Sequence, residues 1–312
     1  MVGPAILATF LPARLGDQDD VTLVQCGFPP FPEPFIGQTL LVNDGAPHLT
    51  MSVDQLNGLQ PSVQDPVFLA HCGRSGSTLL CRMLDLLGCA SFREPDPLIN
   101  AAARPDVLSR DGILNTIINQ YGWVAEHAER LPIIKLPSHA ADLVPVIARP
   151  GAAAPIFLLR DAATVIAQTL TTPPHWLIRA ATDAGLQNSN RNVFEVTGDV
   201  VLLMAHFWMC AVTQAATCKN ALVLRYDDLV DRPKDTLRRC CEQLDLDPSK
   251  QEIELAVDTN LSVHAKNGAS WDLNATNQVV GPVVHQIRAV VASTIDDATS
   301  TAEELCGGTL ER

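Results

Sequence analysis

Apolar and polar positions divide the chain into two parts with different patterns. Residues 1–60 are rich in proline and glycine, and their apolar stretches, such as 21–24 and 39–42, are short. Proline lacks the amide donor that the interior of a helix or a central strand requires. The pattern therefore predicts an N-terminal appendage over residues 1–60, made of loops with room for a hairpin, and a second unit over residues 61–312.

Beyond the appendage, short continuous apolar runs alternate with stretches of helical spacing. Continuous apolar runs are typical of strands buried on both faces, and they predict strands over 67–70, 133–135, 156–159 and 221–224. Apolar positions three and four apart predict helices over 79–87, 140–147, 162–170, 199–217 and 234–244. This alternation predicts an α/β fold, a three-layer sandwich in which helices flank a central parallel sheet.

Composition narrows the class of protein. With 312 residues, of which 47% are hydrophobic and 18% charged, the chain has the composition of a folded protein. Its apolar runs are expected to stop short of the about 18–20 residues that a membrane span needs. Residues 2–11 are apolar but lack a basic start, so no signal peptide is indicated and a cytoplasmic location is predicted. The nine cysteines are scattered without a C-x-x-C pair, which predicts reduced core residues and no metal site.

The chain carries a net charge of −13. Binding to DNA, RNA or an anionic membrane depends on an excess of positive charge, so no nucleic-acid or membrane partner is predicted. A small anionic ligand requires only a few cations at one point. The positions of the arginines and lysines are therefore informative.

One turn has the features of an anion site. The apolar run 67–70 enters the sequence His71-Cys72-Gly73-Arg74-Ser75-Gly76-Ser77-Thr78, and a helical pattern follows. The first amides of a helix lack partners within it, and the helix dipole favours negative charge there. A simpler alternative is a serine and threonine cluster that only caps the helix. The ATP and GTP loop G-x-x-x-x-G-K-[ST] fits poorly, because His71 occupies its first glycine position and Ser77 its lysine position.

The segment Gly73-Arg74-Ser75-Gly76-Ser77-Thr78-Leu79-Leu80 resembles the 5′-phosphosulfate loop of the sulfotransferases that use 3′-phosphoadenosine-5′-phosphosulfate (PAPS). It is most similar to the branch with Arg-Ser-Gly-Ser/Thr-Thr, which includes tyrosylprotein and carbohydrate sulfotransferases. The resemblance implies a P-loop-like sandwich and PAPS as cofactor. Because a sulfuryl group carries less charge than a phosphoryl group, no metal is predicted for its transfer. The resemblance also implies that the turn 73–78 holds the 5′-phosphosulfate end and that Arg74 neutralises charge as the sulfuryl group moves.

Two later segments resemble the family's other nucleotide-binding blocks. Arg160 follows an apolar run as in the 3′-phosphate motif, but Gln168 stands where that motif has a serine. Arg225-Tyr226-Asp227-Asp228-Leu229 resembles the third block, which implies that Tyr226 lies near the adenine. Lys266 is the candidate for a basic loop that closes the 3′-phosphate site. An ordinary ion pair is the alternative for Arg160, and packing beneath the sheet edge is the alternative for Tyr226.

Three residues are candidates for the chemistry. Lys135 ends the apolar run 133–135, and the resemblance implies that it reaches the bridging oxygen of the leaving phosphate. Glu94 stands 20 residues after Arg74, where the similar branch has its general base. His139 is the second candidate base, because the cytosolic small-molecule branch uses a histidine near this position. A solvated strand-end lysine is the alternative for Lys135.

The motifs occur in the family's order and together predict transfer of a sulfuryl group from PAPS to an acceptor hydroxyl. Neither the class of the acceptor nor the oligomeric state is predicted. Residues 1–60, the stretch 171–196 and the C-terminal helices are expected to contact the acceptor, with residues 173–176 in a loop over the site. Two other functions stay open: an ATP-dependent phosphoryl transferase on a related loop, and a non-catalytic nucleotide-binding or scaffold protein.

Overall fold

The computed structural model of the chain describes residues 4–16, 20–33, 35–43, 45–58, 64–104, 106–148, 152–174, 200–261, 284, 287–288, 295 and 298–305. Three residues considered above, Lys266, His175 and Trp176, lie outside these ranges, as does most of the stretch 171–196.

Residues 4–58 hold a three-stranded antiparallel sheet. Its strands are β1 (Phe10–Leu15), β2 (Asp20–Gln25) and β3 (His48–Ser52). Short helices precede, interrupt and follow them: α1 (Pro4–Leu7), α2 (Ile36–Val42) and α3 (Val53–Asn57). Strands β1 and β2 form the hairpin for which the sequence left room, and β3 adds a third strand.

A five-stranded parallel sheet, in the order β5-β6-β4-β7-β8, forms the centre of the remaining chain. Its strands are β4 (Val67–His71), β5 (Cys89–Arg93), β6 (Leu131–Lys135), β7 (Ile156–Leu159) and β8 (Leu222–Arg225). The helices beside it are α4 (Ser77–Leu86), α5 (Asp96–Ala102), α6 (Val107–His127), α7 (Val144–Ile147), α8 (Ala162–Thr171), α9 (Val200–Thr217), α10 (Tyr226–Asp231), α11 (Pro233–Gln243) and α12 (Lys250–Leu261).

Helices cover both faces of the parallel sheet. In β4, Val67 and Leu69 pack in one buried cluster with side chains of α4, α11 and α12. Phe68 and Ala70 point to the other face and pack with side chains of α5, α6, α8 and α9. Because no residue of this strand faces water, its sequence is apolar from Val67 to Ala70, and only the terminal His71 is polar. The predicted α/β fold with a central parallel sheet is confirmed.

Strand β5 was not predicted, because polar residues interrupt its apolar pattern. Both polar side chains are buried: Ser91 is 2% exposed and Arg93 is 2% exposed. Asp85 on α4 makes this burial feasible, since its carboxylate accepts a hydrogen bond from the Ser91 amide at 2.8 Å and pairs with Arg93 at 2.5 Å. A hydrogen bond or ion pair between a helix and the strand that follows it is not visible in a periodic pattern of apolar residues.

The predicted helix over 140–147 is two shorter elements. A 3₁₀ helix covers Ser138–Leu143, and α7 begins at Val144. Pro145 has no amide hydrogen, so it is tolerated only in the first turn of a helix, which explains why a new helix starts there.

Helix α9 corrects the expectation that no apolar run approaches the length of a membrane span. Its 18 residues are long and apolar enough for one by length and composition. The helix instead packs against the sheet, and its buried side chains include Leu203, Phe207 and Trp208. A helix that is apolar over most of its surface is equally typical of a protein core.

The N-terminal part is attached to the α/β part by apolar and polar contacts. Trp123 of α6 packs in a buried cluster with Leu7, Leu23 and Leu56. The Nε2 atom of Gln120, also on α6, donates to the carbonyl oxygens of Leu7 at 3.0 Å and Phe10 at 2.8 Å.

A second attachment involves Arg93 at the end of β5. Its guanidinium donates to the carbonyl oxygens of Phe31 at 3.1 Å and Glu33 at 2.7 Å. The same guanidinium pairs with Asp85. This buried arginine therefore connects the segment 31–33 to the edge of the parallel sheet.

The Asp85–Arg93 pair provides a test of this attachment. Replacing Asp85 by alanine leaves a buried guanidinium without its carboxylate, which typically costs about 3–5 kcal/mol of unfolding free energy. Urea denaturation measures the loss. The matched control is Asp235→Ala, which removes an equally short but exposed pair with Arg238 and should change stability little. Equal effects of the two substitutions would contradict a structural role for the buried pair.

Candidate active site

The turn 73–78 lies between the end of β4 and the start of α4. Gly73 and Gly76 adopt φ angles of +84° and +80°, and Gly76 is the residue that caps α4. The Leu80 amide donates to the Gly76 carbonyl at 2.9 Å, so the amides before Leu80 precede the first hydrogen bond of the helix. The structure therefore has the strand, glycine turn and helix start that an anion site requires.

Glycine is required at position 76 for two reasons. Its φ angle is one that L side chains rarely adopt, and a Cβ atom would lie 3.1 Å from side-chain atoms of both Tyr226 and Leu229. The turn backbone thus lies directly against α10. Arg74 also has a positive φ, +48°, which indicates that the surrounding structure holds the turn in a strained conformation.

The serine and threonine side chains of the turn are enclosed. Ser75 is fully buried, and Ser77 and Thr78 are nearly so. The Oγ1 atom of Thr78 accepts a hydrogen bond from Lys135 at 3.3 Å. Thr78 therefore connects the start of α4 to the end of strand β6.

Lys135 is buried beside the turn, with only 1% of its side chain exposed. Its ammonium lies 2.5 Å from Oε1 of Glu94. The ring of Phe35 lies on another side, with its centroid 5.2 Å from the nitrogen. A buried ammonium is costly without an anionic partner, which Glu94 supplies. The predicted alternative, a solvated strand-end lysine, is excluded by this burial.

Glu94 directly follows β5, beside Lys135. Its φ angle is +55°, and its amide donates to the Lys135 carbonyl at 2.7 Å. The side chain remains 26% exposed, so the carboxylate can be reached from solvent. The candidate base, Glu94, and the candidate for stabilising the leaving phosphate, Lys135, are therefore hydrogen-bonded to each other.

His139 lies in the 3₁₀ helix, where its ring packs 6.1 Å from that of Phe207. Burial lowers the pKa of His139, against a smaller opposing effect of Glu94. The imidazole is therefore neutral near pH 7, the form in which a histidine accepts a proton. Both predicted base candidates are thus in the same region.

Arg160 follows β7 on the other side of the turn and is 8% exposed. Its NH1 atom donates to the Arg74 carbonyl at 2.8 Å and to Oε1 of Gln168 at 3.0 Å. Its guanidinium carbon lies 3.9 Å from the centroid of the Tyr226 ring. Gln168, the residue that departs from the family's pattern, and Tyr226 both orient Arg160.

The guanidinium of Arg74 does not meet Lys135 or Arg160 in this structure. It donates to the carbonyl oxygen of Thr172, just after α8. Burial lowers the pKa of Arg74. The three cations singled out from the sequence therefore do not all meet: Lys135 contacts Thr78 at one end of the turn 73–78, Arg160 contacts the Arg74 carbonyl near the other end, and the Arg74 guanidinium is directed at Thr172.

No carboxylate of the described residues lies within ion-pair distance of Arg74 or Arg160. Their hydrogen-bond acceptors are two carbonyl oxygens and an amide oxygen. The alternative for Arg160, an ordinary ion pair, is therefore absent from the described part of the chain. In a protein with 35 acidic and 22 basic residues, two such arginines beside one turn indicate an anion site.

Two residues of the site were not recognised from the sequence. Phe35 belongs to a proline-rich stretch whose function has no sequence signal. Trp208 of α9 donates through Nε1 to the Arg160 carbonyl at 2.8 Å, which fixes the end of β7. A tryptophan in an apolar helix is indistinguishable from ordinary core packing until the helix is placed.

Solved structures similar to the chain share one described activity. A sulfotransferase domain from the Synechococcus PCC 7002 olefin synthase is 17% identical, covers 78% of this chain and 96% of its own, and gives a TM-score of 0.45. Sulfotransferase STF9 from Mycobacterium avium is 14% identical over 78% of this chain and 79% of its own, with a TM-score of 0.45. Mouse sulfotransferase SULT7A1 complexed with PAP is 13% identical over 82% and 93%, with a TM-score of 0.43.

Each of these three structures is described as a sulfotransferase or a sulfotransferase domain. No protein family model and no curated protein matches the chain.

The contact between the turn and α10 can be tested by replacing Gly76 with alanine. The variant acquires backbone strain and a Cβ atom against Tyr226 and Leu229. Gly88→Ala is the matched control, because Gly88 also has a positive φ, +95°, but open space around its Cβ position. Strain alone costs about 1–2 kcal/mol. Chemical denaturation should show a larger loss for Gly76→Ala than for Gly88→Ala, and equal losses would contradict the close approach.

Proposed function

We propose that the chain is a sulfotransferase that moves a sulfuryl group from PAPS to an acceptor hydroxyl. The observation that carries this proposal is the pair of arginines, Arg74 and Arg160, which lack carboxylate partners in the described structure and flank a glycine turn. A buried cation whose partners are all neutral retains its capacity to bind an anion. Two such arginines, together with the backbone amides at the start of α4, could bind a ligand that carries two separate phosphate groups.

The residues on the two sides of the turn fit the two ends of PAPS. Arg160 would hold the 3′-phosphate, with Gln168 in the serine position contributing its amide group. The amides of the turn, Arg74 and Lys135 would hold the 5′-phosphosulfate. Tyr226 supports this assignment by fixing Arg160 through its ring face. Its predicted proximity to the adenine stays a prediction.

PAPS supplies the sulfuryl group, and adenosine 3′,5′-bisphosphate leaves with the electrons of the broken sulfur–oxygen bond. Glu94 is the base that receives the proton of the acceptor hydroxyl, a role worth typically about 10²–10⁴-fold in rate. Lys135 and the turn amides stabilise the negative charge that develops on the leaving phosphate. One donor of this kind is worth about 3–4 kcal/mol in the transition state.

The contact between Lys135 and Glu94 supports this division of roles. Lys135 touches both the carboxylate of the proposed base and Thr78 at the start of α4. The ammonium is therefore located between the point where a proton is accepted and the turn where charge accumulates. Such preorganised groups act without rearrangement at the moment of reaction.

A cytoplasmic location is part of the proposal. The eight described cysteines are all free thiols, and reduced thiols are typical of that compartment. Burial raises the pKa of all eight thiols, including Cys72 to about 12 and Cys81 to about 11, so they stay protonated and unreactive. The acceptor is proposed only as a hydroxyl-bearing molecule.

The proposed 3′-phosphate site is tested by Arg160→Ala. Loss of a charge-assisted contact should weaken binding of adenosine 3′,5′-bisphosphate by about tenfold to a hundredfold, measured by calorimetry. The control is Arg238→Ala, which removes an exposed arginine already paired with Asp235 and should bind normally. ATP with magnesium is titrated in parallel. Unchanged affinity in Arg160→Ala, or tighter binding of ATP than of the bisphosphate by the wild-type protein, would refute the assignment.

The choice of base is tested by the pair Glu94→Gln and His139→Gln. We expect Glu94→Gln to retain bisphosphate binding and to lose about 10²–10⁴-fold in the rate of sulfur-label transfer over a library of hydroxyl acceptors. His139→Gln should keep most of the rate. Because Glu94 also neutralises Lys135, the folded state of each variant is verified by its melting curve. The reverse result would assign the base to His139, and a wild-type protein that binds the bisphosphate without transfer would be a non-catalytic binder.

A further inference from the structure

Among the described residues, Glu94, Thr78 and Phe35 contact the ammonium of Lys135, and they come from two separate parts of the chain. Glu94 and Thr78 belong to the α/β part. Phe35 belongs to the N-terminal part, and its ring lies within the distance at which an aromatic face attracts a cation. The N-terminal residues therefore contribute directly to the site.

The position of Phe35 is determined by the end of strand β5. Arg93 binds the carbonyl oxygens of Phe31 and Glu33, and the Phe31 ring lies 6.3 Å from that of Phe92. The carboxylate of Glu33 in turn accepts a hydrogen bond from Thr39 of α2 at 3.0 Å. The backbone before Phe35 and the helix after it are thus both held.

The consecutive residues Arg93 and Glu94 therefore determine two of the contacts of the Lys135 ammonium. Arg93 fixes the segment that carries Phe35, and Glu94 supplies the carboxylate. The two partners differ in one property that matters for the reaction. A carboxylate that accepts a proton loses its charge, whereas the negative face of an aromatic ring is permanent.

We infer that Phe35 is a positioning residue of the site, whose ring keeps the Lys135 ammonium directed at the turn 73–78 while Glu94 becomes protonated. This inference rests on the proposed function for its catalytic consequence, but the contact between ring and ammonium is independent of it. Phe35 touches no reacting atom; it acts through Lys135. Through this contact the N-terminal part contributes a side chain to the site.

The contact is tested in the ligand-free protein by fluorinating the ring. Mono-, di- and trifluorophenylalanine at position 35 keep nearly the same shape but weaken the negative face of the ring stepwise. We expect the folding equilibrium constant to fall in steps, by about twofold to thirtyfold in total. In a Lys135→Met background the same series should have little effect. The matched control is the same series at Phe31, which lies in the same segment and packs against another ring.

The catalytic consequence is tested with the same proteins. The value of kcat for sulfuryl transfer should fall with each added fluorine at position 35, whereas the KM for the acceptor stays nearly constant. Fluorination at position 31 should leave kcat unchanged.

The outcomes separate the two proposals. The role of Phe35 would be overturned if fluorination changed the folding equilibrium constant equally in the wild-type and Lys135→Met backgrounds. It would also be overturned if kcat of an active enzyme stayed constant across the series. A wild-type protein that does not bind adenosine 3′,5′-bisphosphate refutes the proposed function instead, and the stability series still decides whether the ring holds the ammonium.

Discussion

The register of three neighbouring parallel strands is the constraint on which the site depends. Leu69 of β4 lies opposite Lys135 of β6, and His71 of β4 lies opposite Leu158 of β7. Because the strands end at one edge, the residues that follow β7 and end β6 reach the same turn from its two sides. A cation buried at this edge requires polar partners. Lys135 is paired with Glu94, and Arg160 donates to the Arg74 carbonyl and to Gln168.

Two buried arginines of this protein have opposite partners and therefore opposite uses. Arg93 is neutralised by Asp85 and by backbone carbonyls, so it connects parts of the fold. Arg160 has only neutral hydrogen-bond partners and an aromatic ring, so its charge remains available to a ligand. In a chain with a net charge of −13, two arginines without a carboxylate within ion-pair distance among the described residues, Arg74 and Arg160, distinguish the site. A negative net charge of the whole chain does not prevent binding of a small anionic ligand, because such a ligand contacts only a few residues.

The described residues between 4 and 58 are attached to the parallel sheet and its helices. Gln120 and Trp123 of α6 hold the small antiparallel sheet, and Arg93 holds the segment that leads to Phe35. Glu94 follows Arg93 at the end of β5. A substitution that displaces Arg93 would therefore shift both the Glu94 carboxylate and the Phe35 ring. Stability and chemistry are therefore coupled at the edge of β5, and substitutions there should be judged by both melting curves and rates.

The sequence by itself determined the α/β class, the glycine turn, and the identity of Lys135, Arg160 and Glu94 as candidates. The apolar runs, the glycine turn and the places of Lys135 and Arg160 at strand ends are local features, whereas Glu94 was a candidate through its spacing from Arg74 in the family that the chain resembles. Only the tertiary structure decided which side chains meet. Strand β5 was missed because Ser91 and Arg93 are buried through Asp85, and Phe35 was missed because its partner lies 100 residues away in sequence. Contacts between distant residues depend on how the chain packs, and a periodic pattern carries no information about them.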